Sequence, residues 1–201
     1  MYRLRTESKT KLVVKKSEFI AILLRVENED EVKEHIKAIR KEHPKARHVC
    51  HAVIVHGEQL VERSNDDGEP AGTAGLPILE VLRKRELENV LAVVVRYFGG
   101  VLLGSGGLIR AYSQSIAQCI DNAELSEVKE MLQSTIRFPI RYTDSLLSLL
   151  KETTILSKEF SEDVTLTLVS ETDNWKSDCN TICSGNFEIV EQKAVITEIC
   201  R

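Results

Sequence analysis

Residues 96–112 read RYFGGVLLGSGGLIRAY, and this stretch decides how the surrounding chain is expected to fold. It follows the apolar run from Val90 to Val95 and precedes a helical pattern that continues to Ile120. The order predicts a strand, a glycine loop and a helix. Because glycine leaves backbone amides accessible and helix N-termini attract anions, the loop is a candidate anion-binding site.

Another glycine-containing loop lies earlier in the chain, at residues 64–75 with the sequence SNDDGEPAGTAG, and is called the first loop; the glycine loop within 96–107 is called the second. The first loop is too rich in polar and turn residues for regular structure. It leads directly into a helix whose first turn can hold Pro77. The two loop-to-helix junctions are therefore expected to form one binding surface. Its candidate residues are Asp66, Asp67, Gly68, Glu69, Gly72, Thr73, Gly75, Arg96, Tyr97, Gly99, Gly100, Gly104, Ser105, Gly106, Gly107 and Arg110.

Two interpretations of this surface remain open at the level of sequence. In the first, the loop amides bind an anion with help from Arg96 and Arg110. In the second, the glycines serve tight packing, and the two arginines pair with acidic side chains of the first loop, Asp66, Asp67 and Glu69. The second loop lacks the lysine and Ser/Thr of a Walker A motif and the third glycine of a dinucleotide site, which disfavours both classes of enzyme.

The same acidic residues raise the question of metal binding and catalysis. Asp66, Asp67 and Glu69 offer oxygen ligands for Mg²⁺, but Asp is also common in turns, so no metal or cofactor is predicted. His48 and Cys50 would point the same way from a strand, which makes a Cys–His pair geometrically possible. No third orienting residue can be assigned, and no catalytic residue is predicted.

The composition is that of an ordinary globular protein, with 201 residues, 42% hydrophobic and 29% charged. The longest apolar runs are too short to span a bilayer and the N-terminus lacks a signal-peptide core, so a cytoplasmic protein without a membrane partner is expected. Five scattered cysteines predict reduced thiols rather than a disulfide framework. The oligomeric state is left open, and a monomer is compatible with the sequence.

The charge distribution suggests two domains. Residues 1–123 carry 19 Lys/Arg against 17 Asp/Glu, whereas residues 124–201 carry 8 against 14, giving net charges of +2 and −6. An acidic stretch at 124–133 has little β-branched content and is expected to link a first domain, 1–123, to a second, 134–201.

Periodicity and turn signals predict the regular elements of both regions. In the first region a hairpin turn is expected at Gly57 and Glu58, and Asn28 or Asp30 can cap a helix. Strands are predicted there at 11–17, 18–26, 48–56, 59–63 and 90–95. Three helices are predicted: one at 30–40, one that begins after residue 76, and one that follows the second glycine loop and ends at residue 120. The second region is predicted to contain a strand at 134–142, a helix at 144–152, strands at 153–160 and 163–169, a helix at 173–183 and strands at 187–190 and 194–199. This is the βαββαβ order of a ferredoxin-like domain.

Three motifs resemble those of the IMPACT family. They are DDGEPAGTAGLPIL at 66–79, RYFGG at 96–100 and LGSGGLIRAY at 103–112. The segment HPKARHVCHA at 43–52 is similar to a further family motif, although Val53 follows where an aromatic residue is expected. The resemblance covers roughly residues 15–123 and, more weakly, 134–190.

This resemblance implies an α+β protein of two domains. The first would be like the second domain of ribosomal protein S5, and the second would be a ferredoxin-like domain similar to one of elongation factor G. Eukaryotic members also carry an RWD domain, with no counterpart in these residues, and restrain an amino-acid-starvation kinase by competing for its activator. That particular activity is not expected here.

The function expected from the resemblance is that of a non-enzymatic, translation-linked regulatory protein. It would bind RNA, the ribosome or a translation-associated protein through the loops 64–76 and 96–110. The alternative is an enzyme or binding protein for a small phosphorylated or nucleotide-like ligand, held by the same two loops.

Overall fold

The computed structural model describes residues 1–57 and 59–200, and its contacts divide the chain into two compact units. Unit 1 contains Met1–Glu127 with the last residues from Ile199, and unit 2 contains Val128–Glu198. Each unit is built on a sheet with helices, which confirms the α+β class. The expected hairpin turn at Gly57 and Glu58 lies partly outside the described residues.

The elements of unit 1 begin with a short strand that the sequence analysis did not predict, β1 (Tyr2–Leu4), which pairs with Leu125, Ser126 and Glu127. The other strands and helices of this unit are β2 (Ser8–Val14), β3 (Ser17–Arg25), α1 (Glu29–Glu42), β4 (His48–His56), β5 (Leu60–Asn65), α2 (Gly75–Lys84), β6 (Val90–Tyr97) and α3 (Ser105–Asp121).

An antiparallel sheet in the order β2-β3-β6-β4-β5 forms the centre of unit 1. The middle strand, β6, is buried from Val90 to Arg96 because helices cover both faces of the sheet. Ala92 and Val94 pack on the side of α2 and α3, while Leu91 and Val93 pack on the side of α1. The continuous apolar run that predicted this strand is therefore explained by burial on both faces.

The first hairpin differs from the prediction in its position. The strand expected at 11–17 is β2, and it ends at Val14 because Lys15 and Lys16 form the turn into β3. Both lysines have positive φ, 45° and 68°. Two residues of positive φ are required by a type I′ hairpin turn, which usually contains asparagine or glycine. Because lysine is not typical of such turns, the sequence did not indicate the turn at these two residues.

Of the two residues expected to cap the first helix, the structure uses Asn28, and Asp30 lies inside the helix. Asn28 caps α1, and its Oδ1 accepts hydrogen bonds from the backbone N–H groups of Asp30 at 3.1 Å and Glu31 at 2.9 Å. These bonds satisfy two of the donors that a helix N-terminus leaves free. On α1, Val32 and Ile39 are the buried residues and face the sheet.

Unit 2 contains its elements in the expected βαββαβ order, and its strands form a sheet in the order β10-β7-β9-β8. A 3₁₀ turn, Ile140–Tyr142, precedes the first helix. The core includes Ile136, Phe138, Leu166 and Trp175. The elements are β7 (Leu125–Pro139), α4 (Thr143–Leu149), β8 (Thr154–Phe160), β9 (Asp163–Ser170), α5 (Trp175–Ile182) and β10 (Glu188–Cys200).

Two details of this region differ from the sequence analysis. Residues 125–133, expected within a linker, belong to β7, in which Ser126 and Val128 are buried on alternate positions. The charged residues around them concealed this strand pattern. The two strands expected at 187–190 and 194–199 are one strand, β10. Among the described residues, no helix is long and apolar enough to cross a membrane.

Candidate functional site

The two glycine-containing loops meet at a cleft of about 310 Å³ in unit 1. The segment that leads into β4 also contributes to it. Its location is set by the strand register, because Arg96 on β6 is paired with His48 on β4 and with Phe19 on β3. The cleft is lined by Arg47, His48, Glu69, Pro70, Arg96, Phe98, Leu102, Leu103, Gly104, Ser105 and Leu108.

Asp66 holds the first loop in shape. One oxygen of its carboxylate accepts hydrogen bonds from the backbone N–H groups of Ala74 at 2.9 Å and Gly75 at 2.8 Å, and the other accepts from Gly72 at 2.8 Å. Burial raises the pKa of Asp66, but the three amides outweigh it and lower that pKa below its usual value. The carboxylate thus anchors the loop and the start of α2.

Asp67 connects the same loop to two neighbouring elements. Its Oδ2 accepts from the N–H of Val49 at 2.6 Å, and its Oδ1 pairs with Arg40 on α1. Burial raises the pKa of Asp67, and these two partners lower it further than burial raises it. The carbonyl of Asp67 lies 2.8 Å from His48 Nδ1, and because a carbonyl only accepts, that nitrogen carries a proton.

Glu69 and Arg96 form the floor of the cleft. Glu69 Oε1 accepts from Arg96 Nη1 at 2.5 Å and from the Tyr112 hydroxyl at 2.8 Å. The Glu69 side chain is 3% exposed and that of Arg96 is 6% exposed. The guanidinium also lies 5.3 Å from the ring centre of Phe19 and 5.7 Å from that of Phe98. A buried charge of each sign is thereby paired, as burial requires.

Cys50 lies beside this network without the properties of a nucleophile. Its Sγ is 3.0 Å from the Asp66 carbonyl and 3.3 Å from the Tyr112 hydroxyl, and either oxygen can accept from the thiol. Burial raises the pKa of Cys50 to about 12, so the thiol is protonated at neutral pH. Among the described residues, no hydrogen bond joins Cys50 to His48.

The three acidic residues of the first loop do not converge on a common point. Asp66 faces backbone amides, Asp67 faces Arg40 and Val49, and Glu69 faces the cleft floor. In the part of the chain that the structure describes, no group of three or more His, Cys, Asp or Glu side chains is placed to hold a metal ion.

Two of the glycines are required by close packing. A Cβ on Gly99 would lie 2.0 Å from the carbonyl carbon of Lys16, and one on Gly75 would lie 2.6 Å from the backbone nitrogen of Asn65. The N–H of Gly99 also donates to Ser17 Oγ at 3.2 Å. These positions support the architectural interpretation. By contrast, a Cβ on Gly106 would have no atom within 4 Å.

Comparison with known proteins identifies the family. The model of the Impact N-terminal domain matches residues 15–120, a range that includes both loops and the cleft. The chain belongs to the IMPACT family. The IMPACT family member YvyE of Bacillus subtilis is 38% identical over 192 residues, which cover 93% of this chain and 88% of that protein. YigZ of Escherichia coli is 42% identical over 109 residues, which cover 53% of each chain.

Solved structures give a further comparison. A crystal structure described as that of a hypothetical protein aligns over 94% of this IMPACT-family chain and 95% of its own length, with 27% identity and a TM-score of 0.61. A structure described as the two-domain translational regulator Yih1 aligns over 57% of this chain, at 22% identity and a TM-score of 0.41. That second similarity is too low to transfer fold or function.

The IMPACT motifs do not place all their residues at the cleft. Arg110 is exposed and lines a separate cavity of about 190 Å³ with Lys15 and Gly107. Tyr97 follows Arg96 on the strand and therefore points to the other face, where its hydroxyl lies 2.9 Å from His43 Nδ1. The pairing expected of the arginines with the first loop is found for Arg96.

The remaining residues of the candidate surface are distributed over the loops and the start of α3. Gly68 lies against the His48 ring, and Thr73 donates through Oγ1 to the Pro70 carbonyl at 2.7 Å. Gly104 and Ser105, at the N-terminal end of α3, line the cleft, and no side chain caps that end. Gly100 follows Gly99 in the second loop, and Gly106 lies in the first turn of α3.

Several cleft residues were not among the sequence candidates. Arg47 reaches the cleft only through the pairing of β4 with β6, which no local pattern reveals. Phe98 and Leu102 did carry a signal, since apolar side chains in a glycine loop have no helix or strand of their own to pack on, whereas Leu103 packs partly against the core. Phe98 is 41% exposed and Leu102 is 83% exposed.

Proposed function

We propose that this protein is a non-enzymatic binding protein linked to the regulation of translation, and that it recognises its partner at the cleft and the adjoining loops 64–76 and 96–110. The observation that carries the proposal is that the acidic side chains of the loops are bonded inside unit 1, while apolar side chains of the loops are exposed. Asp66, Asp67 and Glu69 are used inside unit 1, whereas Phe98 and Leu102 are left exposed beside the cleft. Exposed apolar groups next to a cation are typical of recognition surfaces.

The link to translation rests on family membership. The Schizosaccharomyces pombe protein named IMPACT homolog is 35% identical over 94 residues, which cover 45% of this chain and 33% of that protein. Eukaryotic members are expected to act on the control of translation during starvation, as the resemblance implies. We extend to this chain only the broader role, with RNA, the ribosome or a translation-associated protein as the partner, in the cytoplasm.

We also propose the domain identities that the resemblance implies. The first domain, 1–123, would be like the second domain of ribosomal protein S5. The second, 134–201, would be ferredoxin-like and similar to a domain of elongation factor G. The βαββαβ order and the strand order β10-β7-β9-β8 support the ferredoxin-like assignment.

The experiment is ribosome co-sedimentation of the full chain at low and high salt, with two matched variants. Leu102→Ser removes an apolar side chain beside the cleft, and Leu60→Ser removes an exposed leucine of β5 that lies outside it. We expect association to be lost with the first variant and kept with the second. Equal behaviour of both variants would place the binding surface elsewhere, and no association at low salt would remove the ribosome as partner.

A thermal-shift screen with nucleotides and Mg²⁺ tests the enzymatic alternative. A ligand that binds only the folded state raises the free energy of unfolding by RT ln(1 + [L]/Kd), and the melting temperature rises as a result. We expect no shift at millimolar nucleotide. A clear shift that requires Mg²⁺ would favour a phosphorylated small ligand over a macromolecular partner.

A further inference from the structure

We propose that the cleft binds a carboxylate attached to an apolar group. Such a group occurs at the C-terminus of a peptide that ends in an apolar residue and also in a free carboxylic acid. The inference rests on the proposed function, because it names the chemistry that the same site recognises.

The charge of the cleft matches a single negative charge. Arg47 and Arg96 are cationic and Glu69 is anionic, so the lining residues carry one net positive charge when His48 is counted as neutral. A carboxylate carries one negative charge, whereas a phosphate monoester carries about 1.5 to 2 at pH 7. Among the described lining residues, Arg47 is the only exposed cation, and a phosphodiester chain needs several.

The buried side of the cleft contains an arginine whose hydrogen bonds are incomplete. A guanidinium has five N–H donors, and Arg96 makes one short bond to Glu69 and a long contact of 3.5 Å to Ser17 Oγ. Its Nε has no hydrogen-bond partner although the side chain is 94% buried, with 6% exposed. Because Arg96 lines the cleft and its guanidinium is incompletely hydrogen-bonded, a bound anion there would be attracted to its charge.

A second source of positive potential faces the same space. The N-terminal end of α3 contributes Gly104 and Ser105 to the lining, and no side chain caps it. First-turn amides and the helix dipole favour an anion at such an end. Arg96 and α3 thus approach the cleft from different elements, one from the sheet and one from a helix.

The remaining lining is apolar and accounts for the second part of the ligand. Pro70, Phe98, Leu102, Leu103 and Leu108 surround the space beside the Glu69–Arg96 pair. A volume of about 310 Å³ lies at the low end for small-ligand sites and suits a carboxylate with one apolar side chain.

The first test compares a carboxylate, its neutral amide and a phosphate monoester. The full chain is titrated by calorimetry with N-acetyl-leucine, with N-acetyl-leucine amide and with AMP. We expect the amide to bind at least about tenfold more weakly than the acid, because it lacks the charge that Arg47 and Arg96 meet. AMP is expected to bind more weakly than the acid. Equal binding of acid and amide, or tighter binding of AMP, would overturn the inference.

The second test uses a matched pair of arginines. Arg47→Gln removes the exposed cation of the cleft, and Arg85→Gln removes an exposed arginine directly after α2 that lies outside the cleft and both loops. Since both residues are exposed, neither change should prevent folding. We expect about tenfold weaker binding of N-acetyl-leucine for the first variant and unchanged binding for the second. The same effect in both would show a general charge effect and overturn the site.

Peptide probes separate the two sources of the carboxylate. Binding of acetyl-Gly-Ser-Gly-Leu with a free C-terminus, and loss of binding on amidation, would support a protein C-terminus. Binding of N-acetyl-leucine without the peptide would support a free carboxylic acid. If none of these probes binds while ribosome association still depends on Leu102, this inference fails and the proposed function stands.

Discussion

The carboxylate of Glu69 and the guanidinium of Arg96 form an ion pair, 2.5 Å between Oε1 and Nη1, with both side chains almost fully buried. Glu69 lies in the first loop and Arg96 at the end of β6, so this pair joins the two motif segments that shape the cleft. Tyr112 on α3 donates to the same carboxylate oxygen at 2.8 Å. One oxygen atom of Glu69 therefore connects the first loop, β6 and α3.

Replacing Glu69 by Gln is expected to lower the free energy of unfolding by about 3–5 kcal/mol, because the buried Arg96 charge loses its counter-ion. Urea denaturation followed by circular dichroism measures this change. Arg83→Gln is the control, since Arg83 pairs with Glu62 at the surface and such pairs contribute only about 0–1 kcal/mol. A loss for Glu69→Gln no greater than for the control would show that the pair does not hold the loops together.

Alanine at two glycines of the second loop and its helix is expected to act in opposite directions. Gly99→Ala would bring a Cβ to 2.0 Å from the Lys16 carbonyl carbon, so the backbone must shift and the protein loses stability. Gly106 lies in α3 with no atom within 4 Å of a Cβ, so alanine should stabilise by about 0.4–1 kcal/mol. Thermal melting of both variants measures the signs, and equal effects would contradict the packing described for Gly99.

How far the sequence predicts this site depends on the range of the interactions involved. The strand from Val90 to Val95 was predicted correctly because burial on both faces leaves a local signature. Arg47 and His48 meet Arg96 through the register of β4 with β6, which is fixed by the whole sheet. That register, rather than the motif itself, decides which residues line the cleft.

Strand alternation explains a second limit of the motif. Arg96 and Tyr97 are adjacent in the RYFGG motif, yet they point to opposite faces of the sheet. Arg110 is close in sequence to Ser105, which lines the cleft, but it lies at a different cavity, since five helical residues turn about 140° beyond one full revolution. Residues that belong to one sequence motif therefore do not all lie at the same site.

Replacing Asp66 by Asn is expected to weaken the first loop in a way that depends on pH. The pKa of Asp66 is lowered in the folded state, so its contribution is present above the unfolded value of about 3.9 and is lost as pH falls through the folded pKa. The variant should lose about 1–3 kcal/mol at pH 7 and less at pH 3. Urea denaturation at both pH values measures this.

Glu34→Gln, at an exposed position of α1, is the control for Asp66→Asn. It also removes a carboxylate, but it breaks no described hydrogen bond. Its effect on the free energy of unfolding should be within about 0.5 kcal/mol at pH 7. A pH-independent loss in the Asp66 variant would show that the amide bonds do not require the charge.

Cys50 is expected to resist alkylation in the folded protein. Burial raises its pKa to about 12, so the thiol stays protonated at pH 8, and the side chain is also inaccessible. Treatment with iodoacetamide, followed by mass spectrometry of the peptide containing Cys50, should find it unmodified in buffer and modified in urea. Rapid modification without urea would mean that the thiol ionises readily, and would reopen a nucleophilic role for Cys50 beside His48.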